Sequence, residues 1–183
     1  MDGRALLIVL LMMAVAGAWW WSRDSGERDV GSAAGEVPDY SMSGFLLTET
    51  NVSGRPGHTL AAETLYHYPE RAESTLMAPL LRFFEGDRPV WEISARHGTV
   101  YDADRSVLLE GEVHVRYSAP VSGRGFEIHT EELYLWPDER RAETEAAVRI
   151  IQQSGITDSI GMKADLEERR VRLLSHVRGR YDP

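Results

Sequence analysis

The chain has no cysteine. That absence excludes a disulfide framework, a thiolate metal site, a cysteine nucleophile and a lipid-modified cysteine. Lysine is nearly missing as well; Lys163 is the only one. Positive charge is in short supply, with 20 Lys and Arg against 29 Asp and Glu. The net charge of −9 argues against a nucleic-acid partner, because duplex binding needs a basic face. No G-x-S-x-G, no H-E-x-x-H and no phosphate-cradling glycine loop occurs. No catalytic residue, metal or cofactor is therefore expected, and the chain does not read as an enzyme. Long helical periodicity is also missing beyond residue 38.

What is present begins with one apolar run, ALLIVLLMMAVAGAWWW, over residues 5–21. Seventeen helical residues would reach about 26 Å, enough to cross most of a hydrocarbon core of about 30 Å. Ala16-Gly17-Ala18 offers a small-x-small cleavage site, so a signal peptide is one reading. The other is an uncleaved anchor ending in an aromatic belt of Trp19, Trp20 and Trp21. Cleavage after Ala18 would leave three exposed tryptophans at the new terminus, which favours the anchor. The four-residue head is easier to leave behind than the rest, which places the amino terminus in the cytoplasm. Ala14, Ala16, Gly17 and Ala18 would offer a small-residue face to a partner helix. The division expected is an anchor over 1–22, a Gly/Ser/Asp-rich tether over 23–36 and a folded domain over 37–183. With 43% hydrophobic residues the domain can bury a core.

Within the domain the apolar residues alternate with period two, as half-buried strands do. Residues 91–117 lie over residues 126–152 without a gap. Trp91 falls on Phe126, Ile93 on Ile128, Val100 on Leu135, Val113 on Val148 and Val115 on Ile150. An upstream copy places Leu60, Ala62, Leu76 and Leu80 on Ile93, Ala95, Leu109 and Val113. A shortened downstream copy holds Met162, Ala164, Val171, Leu173 and Val177. Four units at this spacing predict a stack of strand pairs. The apolar phase flips within the first strand of the units, between Ala95 and Gly98, Thr130 and Leu133, and Ala62 and Leu65. A strand cannot change face without a bulge or corner. The expected fold is all-β, with two facing antiparallel sheets, an apolar interior and an open strand edge at each end.

Isolated polar candidates carry little chemistry. His97 and His114 could face each other across a strand pair, but scattered strand histidines read more simply as surface or hydrogen-bonded groups. Glu131 and Glu132 are adjacent, so on a strand they point apart. Asn51-Val52-Ser53 matches a glycosylation sequon. Arg140-Arg141 and Arg169-Arg170 fall in predicted turns, solvated or available to anionic phosphates. Trp91, Phe126 and Phe83 suit either a closed core or the lining of a groove.

PDYSMSGF (38–45), GHTLAAETLYHYPE (57–70), TLMAPLLRFF (75–84), GTVYDADRSVLLEGEVHV (98–115) and GMKADLEERRVRLLSHVRGRY (161–181), in this order behind a single anchor, resemble the LptC family. The resemblance spans residues 5–181. It implies an open twisted β-jellyroll behind an uncleaved transmembrane helix, single-pass in the inner membrane with the main domain periplasmic. It implies lipopolysaccharide transport from an inner-membrane ABC transporter complex to a soluble periplasmic jellyroll of the LptA type. Trp91, Ile93, Phe126, Ile128, Leu133, Leu135, Val148 and Ile150 would line the lipid groove. Val171, Leu173 and Val177 would form the edge offered to the soluble partner. Tyr40, Met42 and Phe45 would face the transporter. The rival reading is a tethered assembly scaffold that pairs strands with its partners and binds no lipid. A soluble periplasmic lipid carrier would require cleavage after Ala18.

Overall fold

The structure, a computed structural model, describes residues 37–119 and 125–181. The expected anchor and tether lie outside the described residues. Every regular element among those described is a strand: β1 (Tyr40–Thr50), β2 (Pro56–Tyr68), β3 (Glu73–Met77), β4 (Leu80–Glu85), β5 (Arg88–Ser94), β6 (His97–Tyr101), β7 (Ser106–Ser118), β8 (Gly125–Trp136), β9 (Arg141–Gln152), β10 (Gly155–Asp165) and β11 (Arg170–Tyr181). All pairings are antiparallel and join the eleven strands into one hydrogen-bonded sheet.

That sheet is folded over. The first half of β2 pairs with β4, Leu60 opposite Leu81. Its second half pairs with β3, Leu65 opposite Leu76. β7 does the same with β6 and then β5. Each long strand therefore passes through a corner from one layer to another. Layer A holds β4, β5 and the strand segments paired with them, and layer B holds β3, β6 and theirs. The corners fall where the apolar phase flips in the sequence.

At three of the corners the backbone takes a left-handed φ. Ala78 takes a φ of 48° between β3 and β4, and Pro79 beside it has no N–H to give a ladder. β7 crosses without a break through a bulge, with Gly111 at φ 74° and Glu112 at 50°. β10 turns at Gly161, φ 75°, where an added Cβ would sit 2.9 Å from the Leu174 Cδ1. Main-chain bonds tie the line of corners together. The Ala78 N–H donates to the Arg96 carbonyl at 2.8 Å, and the Arg96 N–H donates to the Gly111 carbonyl at 2.9 Å.

Leu81, Phe83, Trp91, Ile93, Val115 and Ile128 of layer A share one buried cluster with Val107, Leu109, Leu133, Leu135 and Met162 of layer B. Two layers can share a core in this way only by facing each other. A smaller cluster of Ala62, Leu65 and Leu76 extends it toward β1. The repeat alignment placed Leu80 inward; it is half-buried, and Leu81 is the residue sealed in the core. The bulge at Gly111-Glu112 has no counterpart beside Pro79. The equivalence therefore slips by one, and Leu81 lies opposite both Leu60 and Ile93. Among the described residues the sheet does not close on itself, for β1 pairs only with β2 and β11 only with β10.

Candidate functional site

The interior between the layers is built from rows of side chains that cross the strands. In layer A one row runs Leu47, Leu60, Leu81, Ile93, Val115, Ile128 and Ile150, each opposite the next. In layer B another runs Met42, Leu65, Leu76, Gly98, Leu109 and Leu133. Strands lie about 4.8 Å apart, so the six steps of the layer A row cover about 29 Å. Leu47 at its β1 end is 57% exposed, while Ile93 in the middle is 0% exposed. The apolar track is thus sealed in the centre and bare at one end.

The layers are joined covalently along the line of corners. Along the opposite side only weaker bonds join them. Trp91 of layer A donates from Nε1 to the carbonyl of Leu166, in the turn that leaves β10 in layer B, at 3.0 Å. Its indole also packs on Tyr117 and Phe126, with ring centroids 4.6 and 5.7 Å away. Glu85 at the end of β4 is ion-paired with Arg169 of the β10–β11 turn. Glu49 of β1 accepts from Arg105 of the β6–β7 turn at 3.2 Å, and Arg105 also holds Asp138 at 3.0 Å. Between these lips His58 lies 3.5 Å from Glu49 and against Phe83. Burial pushes the His58 imidazole below its ordinary value, and the Glu49 carboxylate works against that shift. At the β1 end of layer B, Tyr40 stacks on His67, which is hydrogen-bonded to Ser74 at 3.1 Å. Polar groups thus flank the interior where it nears β1, beside the bare end of the apolar track.

The family model for LptC, described as "Lipopolysaccharide-assembly, LptC-related", matches residues 6–182. The chain belongs to the LptC family. Among solved structures it is similar to LptH of Pseudomonas aeruginosa, the LptA homologous periplasmic component of that organism's conserved lipopolysaccharide transport device. The two share 8% sequence identity at a TM-score of 0.55, over 69% of this chain and 95% of that one. At that identity the likeness concerns the fold. No curated protein matches the chain.

Within this LptC-family chain the eight residues expected to line the groove all carry side chains toward the interior. Trp91, Ile93, Ile128, Leu133, Leu135, Val148 and Ile150 belong to the buried cluster, and Phe126 packs against it half-buried. They touch one another, so the interior is filled by the protein's own side chains. Tyr40, Met42 and Phe45 sit on the edge strand β1, the first two more than 40% exposed. Val171 and Leu173 sit on the other edge strand, β11, and pack half-buried against the core; Val177 on the same strand is 54% exposed.

His97 and His114 do not face each other. His97 lies opposite Glu110, and His114 opposite His129, with ring centroids 4.4 Å apart on the outer face. No group of three or more metal-ligating side chains forms among the described residues. Asn51 holds the β1–β2 turn, its Oδ1 accepting the N–H groups of Ser53 at 3.0 Å and Arg55 at 3.1 Å. The two arginine pairs divide. Arg141 is tied down by Glu139 and Glu143 and lies 3.8 Å over the Trp136 ring. Arg170 is paired with Glu168 at 2.9 Å. Arg140 and Arg169 instead end the turns of the layer B lip. The lip contacts were missed from sequence, because Trp91 and Leu166 are 75 residues apart and no local pattern links them.

Proposed function

We propose that this chain is the inner-membrane bridge component that receives lipopolysaccharide from an ATP-driven extractor. It passes the lipid along its interior to a soluble periplasmic jellyroll. The observation that carries this reading is the apolar row from Leu47 to Ile150, which crosses the strands and lies between two unpaired edges. Membership of the LptC family supports it. Each buried CH₂ of an acyl chain contributes about 0.8 kcal/mol, and a slot between two layers can cover the chains while leaving the sugars in water. The anchor over residues 5–21 would hold the domain at the membrane with its amino terminus in the cytoplasm. β1, with Tyr40, Met42 and Phe45, would meet the transporter's periplasmic domains. β11, with Val171, Leu173 and Val177, would add to the edge of the next jellyroll, and edge pairing would make the apolar tracks continuous. No covalent chemistry is asked of the chain.

One observation favours the scaffold reading, in which no lipid is bound: the interior is filled, with Ile93, Leu109, Val113, Leu133 and Leu135 all at 0% exposure. Photocrosslinking in living cells separates the two. A photoreactive residue at Ile128 is expected to give lipopolysaccharide adducts. One at Glu127, whose carboxylate faces outward to Arg116 at 3.4 Å, is expected to give none. Crosslinks to protein from Leu173 with no lipid adduct at any inward position would replace the bridge by the scaffold.

A further inference from the structure

The layer B lip repeats one backbone device. Its four turns end at Ala72, Arg105, Arg140 and Arg169, with φ of 49°, 52°, 49° and 55°. This left-handed conformation suits glycine or asparagine and is strained for an arginine. Three of the four turns nonetheless place a guanidinium there. Successive turns are two strands apart, so the three arginines are spaced at about 10 Å along the lip. In the free chain the facing lip occupies two of them. Glu49 holds Arg105, which also pairs with Asp138 of the neighbouring turn on its own lip, and Glu85 holds Arg169. Arg140 has no carboxylate partner among the described residues, and its charge bears on His58 together with that of Arg105.

We propose that Arg105, Arg140 and Arg169 form a receiving lip for the phosphates of an anionic lipid headgroup, and that Glu49 and Glu85 stand in for those phosphates while the slit is empty. This rests on the transport reading above. Guanidinium groups bind phosphate through paired, charge-assisted bonds, and a phosphate carries more charge than the carboxylate it would displace. The pairs to be displaced are weak, since Arg105 is 65% and Arg169 44% exposed. The same two pairs are among the bonds that close the slit. A headgroup that takes the arginines from Glu49 and Glu85 therefore removes both ion pairs between the lips and leaves the Trp91–Leu166 bond as the polar tie between them. Recognition of the phosphates and access to the apolar interior become one event.

The test uses the full-length chain in detergent, with a photoreactive analogue at Phe126 reporting lipid in the interior. The probes are lipid A bearing both phosphates, the same lipid with both removed, and inorganic phosphate as competitor. The variants are Arg105→Asn/Arg140→Asn/Arg169→Asn, asparagine being tolerant of left-handed backbone, and Glu49→Gln/Glu85→Gln. The phosphorylated lipid is expected to be captured at about tenfold lower concentration than the dephosphorylated one. The arginine variant should erase that preference, so that the two lipids are captured alike. The glutamate variant should strengthen capture of the phosphorylated lipid, about threefold. Equal capture of both lipids by the unsubstituted chain, or a change of the same sign in the two variants, would overturn the lip and leave the transport reading intact. Full competition by millimolar inorganic phosphate would assign the arginines to a free anion and overturn the headgroup. No adduct with either lipid in any variant would remove the transport reading and this proposal with it.

Discussion

The middle of the stack and its two ends are made from the same kind of strand and treat their side chains differently. Across β5, β7 and β8 the central inward positions Ile93, Val115 and Ile128 are sealed, and outward charges pair across the strands where Arg116 bridges Glu92 and Glu127. On β1 and β11 large apolar side chains stand bare. Leu46 is 65% exposed, Leu47 57%, Val177 54% and Tyr181 74%. Each of these strands also has one edge without a partner among the described residues. An unpaired edge is a liability that a free-standing domain blunts with charge or proline; β11 carries Arg170, Arg172, Arg178 and Arg180, whereas β1 has no charge from Tyr40 to Thr48. The difference teaches that the middle is held by the fold itself, whereas the bridge reading proposed above would have the ends completed by other chains.

The sharpest way to break this comparison is to hollow out the middle. Trp91→Ala removes a 1% exposed indole, its ring contacts with Tyr117 and Phe126 and its bond to Leu166. Urea unfolding of the full-length chain, followed by far-ultraviolet circular dichroism, should report a loss of about 3–5 kcal/mol. Trp91→Phe keeps most of the volume and leaves the Leu166 carbonyl without its donor, for a loss of about 1–3 kcal/mol. A cost below about 1 kcal/mol for the alanine variant would mean that the middle is no better packed than the ends.

The next effect tests the corners. Gly161→Ala places a side chain at φ 75° and against Leu174. The left-handed conformation alone costs about 1–2 kcal/mol. Ala164→Gly, on the same strand but beyond the corner, is the control for composition. A Gly161→Ala variant as stable as the unsubstituted chain would show that β10 can cross between layers without its glycine.

Much of this fold was legible because period-two alternation is local. Trp91, Ile93 and Ile128 could be placed inward from their neighbours alone, and the phase flips at Ala95, Thr130 and Ala62 marked the corners before any geometry was known. The slip at Leu80 shows the limit of that logic. A proline break and a two-residue bulge solve the same corner with different residue counts, so a fixed repeat length misplaces every position beyond the corner. The face of each inward residue was readable; whether that face meets lipid or only other side chains was not, since both require the same apolar pattern. The lip was hidden for a different reason. Arg105, Arg140 and Arg169 each look like an ordinary turn charge, and they become a row only once the layers are folded over so that Glu49 and Glu85 lie opposite.

A smaller effect should appear with pH at the boundary between middle and end. Burial lowers the affinity of His58 for a proton relative to the unfolded chain, where the value is about 6.5. The unfolded state therefore binds more protons as the pH falls. The stability tied to this group is fully present above about pH 6.5 and declines as the pH drops through the window below it. His58→Gln should flatten that part of the acid limb in urea titrations. Glu49→Gln should steepen it, because the carboxylate that partly offsets burial is gone. An unchanged slope in both variants would mean that His58 is as wet as the end strands.

The smallest effect on stability belongs to the edges, and it separates folding from assembly most cleanly. Val177→Asp on β11 and Met42→Asp on β1 alter side chains that are 54% and 44% exposed. Exposed substitutions of this kind stay within about 0.5 kcal/mol. If the ends are completed by other chains, each variant should unfold like the unsubstituted protein and yet lose its own crosslinked partner. Met42→Asp should lose the transporter side alone and Val177→Asp the soluble jellyroll alone, because the two edges lie at opposite ends of the strand order. Loss of stability with no change in crosslinking would reverse the assignment: the bare side chains would then serve the fold, and the contrast between middle and ends would be one of degree.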